Sequence, residues 1–93
     1  MIRSFKDAEA ERLYARRRSN KLPTDIHHVA LRKMRMLNTA LNLNDLRIPP
    51  ANRLEKLSGN RAGRHGIRIN DQWRLCFEWR DGDAYEVEIA DYH

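Results

Sequence analysis

The dipeptide Asp81-Gly82 limits this chain more than any other feature, because it sits between two segments of strictly alternating polarity. Before it, Trp73, Leu75, Phe77 and Trp79 alternate with Arg74, Cys76, Glu78 and Arg80; after it, Tyr85, Val87 and Ile89 alternate with Glu86, Glu88 and Ala90. Period-two alternation is the pattern of a half-buried strand, and Asp-Gly supplies the two positive-φ residues that a tight hairpin requires. The chain therefore contains an antiparallel hairpin with one buried face, and a buried face needs a covering layer.

The first half supplies that layer. Asp7 caps a helix expected to run to about Arg17, with a thin apolar face of Ala8, Leu13 and Ala15. Thr24 reads as the N-cap of the main helix, roughly Asp25 to Leu41. Its stripe is Ile26, Val29, Ala30, Lys33, Leu37, Ala40 and Leu41, widened by Met34. Ile2 to Phe5 reads as a short opening strand and Arg16 to Lys21 as a polar basic loop, the best candidate for a mobile segment. Pro49-Pro50 bars helix continuation and marks the passage into the β half. There, Arg53 to Leu57 is a short candidate strand, Gly59 to Gly66 a glycine-rich basic loop, and Ile67 and Ile69 alternate with Arg68 and Asn70. Helices first and a strand meander after imply an α+β fold, two N-terminal helices on one face of a small antiparallel sheet. At 93 residues the chain is expected to form one domain, 1–93.

If the Trp73/Leu75/Phe77/Trp79 set faces the helices, Arg68 and Arg74 fall on the open face beside a loop carrying Arg61, Arg64 and His65. That is a plausible phosphate cradle. Arg contributes 14 of the 18 basic residues in a chain of net charge +5, and its planar fork suits phosphate. A basic balance favours nucleic acid as partner, although an acidic protein or a membrane surface would satisfy it too. The plain alternative for Arg68 and Arg74 is cross-strand pairing with Glu78, Glu86 or Glu88. Cys76 is the sole cysteine, so no internal disulfide can form; with no apolar leader and no membrane-length run, a cytoplasmic protein is expected. His27 and His28 are adjacent on a helix and diverge by about 100°, so neither a metal site nor any cofactor is expected.

Metal-free RNA cleavage needs a base for the 2′-hydroxyl, a cation for the charged phosphorus intermediate and an acid for the leaving 5′-oxygen. The tail Asp91-Tyr92-His93 offers two proton carriers, ~6.6 Å apart if extended, with Tyr92 as a third or as a stacking platform. Arg74 is the leading cation. Strict alternation sends Asp91 and His93 to the helix side, so the tail must twist or leave the strand to serve the open face.

The ordered set Gly66-Ile67-Arg68-Ile69-Asn70, Trp73-Arg74-Leu75-Cys76-Phe77 and Glu88-Ile89-Ala90-Asp91-Tyr92-His93 resembles the HigB family of the RelE/ParE toxin superfamily, and the similarity runs the whole length. The resemblance implies a RelE-like (microbial RNase-like) fold, ribosome-dependent mRNA cleavage on the 70S ribosome, and inhibition by a helix-turn-helix, HigA-like antitoxin. It carries cleavage roles onto Arg74, Asp91, Tyr92 and His93. Relatives place a histidine and a lysine where this chain has Glu55 and Ser58, so one proton carrier and one cation are missing, and Glu55 becomes an uncertain catalytic candidate. Two other readings stay open: a non-catalytic toxin of the gyrase-poisoning ParE type, and a plain RNA-binding module.

Overall fold

The computed structural model describes residues 1–59 and 63–91. Two helices, α1 (Ala8–Tyr14) and α2 (Thr24–Thr39), precede two short 3₁₀ turns and four strands: β1 (Glu55–Lys56), β2 (Arg64–Arg68), β3 (Trp73–Arg80) and β4 (Asp83–Asp91). The strands form one antiparallel sheet in the order β1-β2-β3-β4. Both helices pack on one face, where Ile26, Ala30, Met34 and Leu37 meet Ile67, Leu75, Phe77, Val87 and Ile89. The α+β architecture is as expected.

The hairpin forms at Asp81 and Gly82, with φ of 51° and 82°. Beyond it the sheet departs from simple alternation. Cys76 opposes Glu88 while Glu78 opposes Tyr85, so Phe77 faces two residues, Glu86 and Val87. This is a β-bulge, and Glu86 takes a φ of 52° to form it. The bulge lets Ala84 and Val87 both reach the core and turns Tyr85 to the other face, where its ring lies 4.1 Å beneath the Arg80 guanidinium. Tyr85 therefore does not share a face with Val87 and Ile89, as alternation predicts.

The bulge also explains why Ile2 to Phe5 is no regular strand. The segment lies along β4 through two isolated parallel bridges, Ile2 to Ala84 and Phe5 to Val87. Between them the Ser4 hydroxyl accepts from the Glu86 amide at 2.9 Å, serving the bulged residue.

Asp7 caps α1 by accepting from the Glu9 amide at 2.9 Å, and its second oxygen accepts from the Ile89 amide at 3.3 Å, tying the helix start to β4. The helix ends at Tyr14, short of Arg17, because Arg16 turns left-handed at φ 62°. Helix α2 starts one residue early, with Pro23 in the cap position and no side-chain cap. It stops at Thr39, and the extended Ala40 sends Leu41 out of the stripe to 83% exposure. Lys33 does lie on the buried stripe, where its ammonium donates to the Asn52 carboxamide. Burial, then the charges of Arg32 and Arg68, hold the Lys33 pKa below its usual value. Asn52 is wholly buried and donates to the Leu46 carbonyl at 3.1 Å, so this pair fastens α2 to the loop that leads into the sheet.

Candidate active site

The face of the sheet away from the helices carries a column of side chains fixed by the strand register. Arg68 opposes Arg74, which opposes Ala90; Gly66 opposes Glu55 on one side and Cys76 on the other. Paired residues point the same way, so Glu55, Arg68 and Arg74 all project onto the open face. Strand β1 expected over Arg53 to Leu57 shrinks to two residues, yet those two are enough to place Glu55.

Glu55 and Arg74 stand on strands that are not neighbours, roughly 9–10 Å apart across β2. They nevertheless form an ion pair, Glu55 Oε1 to Arg74 Nε at 3.6 Å. The intervening residue of β2 is Gly66, and its missing side chain opens the lane through which they meet. A β-carbon there would lie 3.4 Å from the Leu57 side chain and 3.8 Å from the Cys76 sulfur. Leu57, Cys76 and Ala90 form a small buried apolar floor beside the pair. Arg74 is thus largely shielded, its side chain 15% exposed, and Glu55 is the more open partner at 42%. A glycine within a strand marks close approach, so the signal was present in the sequence, although nothing there identified Glu55 and Arg74 as the groups that approach.

Arg68 is partly exposed, and its guanidinium donates to the Asp71 carboxylate. That contact, ahead of the general attraction of the charge, holds the Asp71 carboxyl below the usual range. Arg68 is therefore paired within its own turn and not with Glu78, Glu86 or Glu88, and Arg74 pairs with Glu55 instead of those three.

Two residues expected in an exposed basic loop lie elsewhere. Arg64 is the first residue of β2 and is buried. Its Nη2 donates to the Glu86 carbonyl at 2.6 Å and to Glu88 Oε2 at 3.0 Å, while Glu78 lies 4.0 Å from Nη1. It braces the bulge from inside and is not presented to an RNA. His65 points to the helix side and stacks on Phe77 with ring centroids 6.2 Å apart. Burial, then the Lys56 charge, lowers its pKa, so the ring favours the neutral form and makes a poor phosphate contact. Arg61, Tyr92 and His93 lie outside the described residues.

Asp91 ends β4 and is exposed. The register pairs it with Trp73, which belongs to the helix-facing set, so it leaves the strand on the side opposite Arg74. Its carboxylate accepts from the Gln72 side chain at 3.1 Å, a contact that no sequence pattern announced. The structure thus brings Glu55, Arg68 and Arg74 onto one face, while Asp91 leaves the end of β4 on the other.

This architecture is that of the RelE-like toxins. YafQ from Escherichia coli superimposes with a TM-score of 0.61 at 14% identity, over 98% of this chain and 93% of that one. YoeB, in the YoeB-YefM complex from Staphylococcus aureus, gives 0.56 at 21% identity, over 100% and 98%. Sequence then fixes the family within that class. Residues 3–93 match the model described as the RelE-like toxin of type II toxin-antitoxin system HigB. Toxin HigB-1 of Vibrio cholerae is 44% identical over 90 residues, 96% of this chain and 95% of that protein. Endoribonuclease HigB of Proteus vulgaris is 30% identical over 94 residues, the whole of both chains. The chain belongs to the HigB-like toxin family of type II toxin-antitoxin systems, which implies an antitoxin as its partner.

Proposed function

We propose that this toxin is a metal-independent endoribonuclease that cleaves mRNA in the decoding site of the 70S ribosome and is silenced by a helix-turn-helix, HigA-like antitoxin. The observation that carries the reading is the shielded Arg74, held on the open sheet face by Glu55 across Gly66. The name of the Proteus relative supports RNA as the substrate.

In this reading Arg74 binds the scissile phosphate and stabilises the charge that builds on its oxygens. Shielding strengthens that interaction by excluding competing water. A base removes the proton of the 2′-hydroxyl; the freed oxygen attacks phosphorus and the bond to the 5′-oxygen breaks. An acid then protonates the departing oxygen, leaving a 2′,3′-cyclic phosphate. Glu55 touches Arg74 and is open enough to meet a substrate, which suits it to the base role that the family gives to a histidine. Asp91 and His93 remain the proton carriers of the tail, with Tyr92 as a stacking surface and Arg61 and Arg68 as flanking phosphate contacts.

The test is single-turnover cleavage on programmed ribosomes with binding measured in parallel. Arg74→Ala and His93→Gln are each expected to slow cleavage by ~10²–10⁴-fold, the usual loss for removing an electrostatic or proton-transfer group. A message with a 2′-deoxy sugar immediately 5′ of the scissile phosphate should resist cleavage, and a zinc-selective chelator in excess magnesium should have no effect. Near-normal cleavage by the Asp91→Asn/His93→Gln double variant would show the site to be misplaced. Loss of activity with the chelator would end the metal-free mechanism.

A further inference from the structure

The helical layer carries a second cationic feature, on the side of the molecule away from Arg74. Where α1 ends and α2 begins, a pocket of about 390 Å³ has Leu13 and Leu31 as its apolar lining and the guanidinium-bearing Arg16, Arg17, Arg18 and Arg35 around them. His27 and His28 complete the wall, and no carboxylate among the described residues lines it. Among the described residues none of those four arginines takes part in an ion pair, in a chain whose net charge is +5.

A run of three arginines is ordinarily a solvated loop, and sequence reading expects a mobile one. The structure builds it differently. Ser19 is buried, donates to Glu9 Oε1 at 2.6 Å, and accepts from the amides of Lys21 at 3.3 Å and Leu22 at 3.2 Å. The Leu22 carbonyl in turn bonds His27 Nε2 at 3.0 Å, tying the loop to α2. At its other end Arg16 adopts φ 62°, a conformation disfavoured for a residue with a β-carbon, and the Arg17 amide bonds the Arg12 carbonyl at 2.8 Å. On α2, His28, Leu31 and Arg35 follow at intervals of three and four, one stripe directed away from the core stripe of Ile26, Ala30, Met34 and Leu37. Like charges are therefore gathered and held by a framework of local bonds, although their mutual repulsion opposes it. A bound polyanion would relieve that repulsion.

We infer that this pocket binds backbone phosphates of RNA, as a second contact remote from the face that carries Arg74. Guanidinium forks take phosphate oxygens in pairs, several phosphates of one strand can enter an open pocket in succession, and the two leucines offer an apolar surface to a ribose or base. The choice of RNA over another polyanion rests on the proposed ribonuclease reading; the anion site itself does not.

The experiment is fluorescence anisotropy of the full chain with a labelled, fully 2′-O-methylated RNA oligonucleotide, which presents phosphates but has no 2′-hydroxyl to be cleaved. The Arg16→Gln/Arg18→Gln/Arg35→Gln variant, with its helical content checked by circular dichroism, should bind more than tenfold more weakly than the natural chain. Its slope of log affinity against log salt should fall by about 2, as expected for three lost single-strand phosphate contacts. Ser19→Ala, which keeps every charge but removes the pin, should weaken binding with little change of slope. Arg74→Ala should retain most of the affinity while losing cleavage, which separates failure of this inference from failure of the catalytic one. Unchanged affinity in the triple variant would overturn the proposal. Equal binding of ATP would overturn RNA as the source of the phosphates, and displacement of the oligonucleotide by a poly-glutamate peptide at lower concentration than by unlabelled RNA would point to an acidic protein instead.

Discussion

Gly66 offers the sharpest test of how the open face works, because two substitutions there should have opposite effects. Its φ is not in the left-handed region, so alanine is compatible with the backbone, and the new β-carbon would sit in ordinary contact, 3.4 Å from Leu57 and 3.8 Å from Cys76. Gly66→Ala should then stabilise slightly, by about 0.4–1 kcal/mol, through the reduced freedom of the unfolded chain. Valine adds two γ-carbons about 1.5 Å further out, in a space already closed by Leu57 and lying in the lane between Glu55 and Arg74. Overpacking of that kind costs about 1–3 kcal/mol. In a domain of this size each kcal/mol lowers the melting midpoint by about 4–8 °C. The functional expectation follows from the same geometry. With the 3.6 Å contact broken, Arg74 loses the Glu55 carboxylate as one of the groups that position it, and a displacement near 1 Å can cost ~10²-fold in rate. Thermal melts and single-turnover cleavage on programmed ribosomes, for the natural chain, Gly66→Ala and Gly66→Val, read both effects. A folded Gly66→Val variant cleaving as fast as the natural chain would refute the claim that the lane positions Arg74.

Three further expectations concern the framework around that face. Arg64→Met takes the donor from the Glu86 carbonyl and leaves the Glu88 carboxylate with the exposed Lys6 ammonium at 3.6 Å, and should destabilise by about 1–3 kcal/mol; adding Glu88→Leu should recover part of the loss in a denaturant-unfolding double-mutant cycle. Asp7→Ala removes the cap of α1 and its bond to Ile89 and should cost about 1–2 kcal/mol in the same assay. His65 has a folded-state pKa below the 6.5 of its unfolded form, so between those values the unfolded chain binds more protons. Its contribution to stability therefore rises with pH up to about 6.5 and then levels off, and His65→Phe should remove that component from stability curves taken between pH 5 and 8.

The sequence alone determined the layers, the hairpin and the sidedness of β3. Those are local properties: Asp-Gly tolerates positive φ at both turn positions, and alternation assigns Trp73, Leu75, Phe77 and Trp79 to one face whatever surrounds them. It also put Arg68 and Arg74 on the other face, because a period of two leaves no choice. Tertiary structure decided what those arginines touch. The Glu55–Arg74 pair depends on a two-residue strand, on register, and on the space above Gly66, none of which a propensity encodes. The bulge at Glu86 reassigned Tyr85, since one extra residue inverts the alternation on either side of it, and the cost of its odd backbone is met by partners as distant in sequence as Ser4 and Arg64. In the same way Arg64 reads as a loop cation from its glycine-rich neighbours, yet three glutamates gathered from β3 and β4 make it an internal brace. Composition fixes how much charge a chain carries; long-range pairing fixes which of those charges remain to meet a substrate.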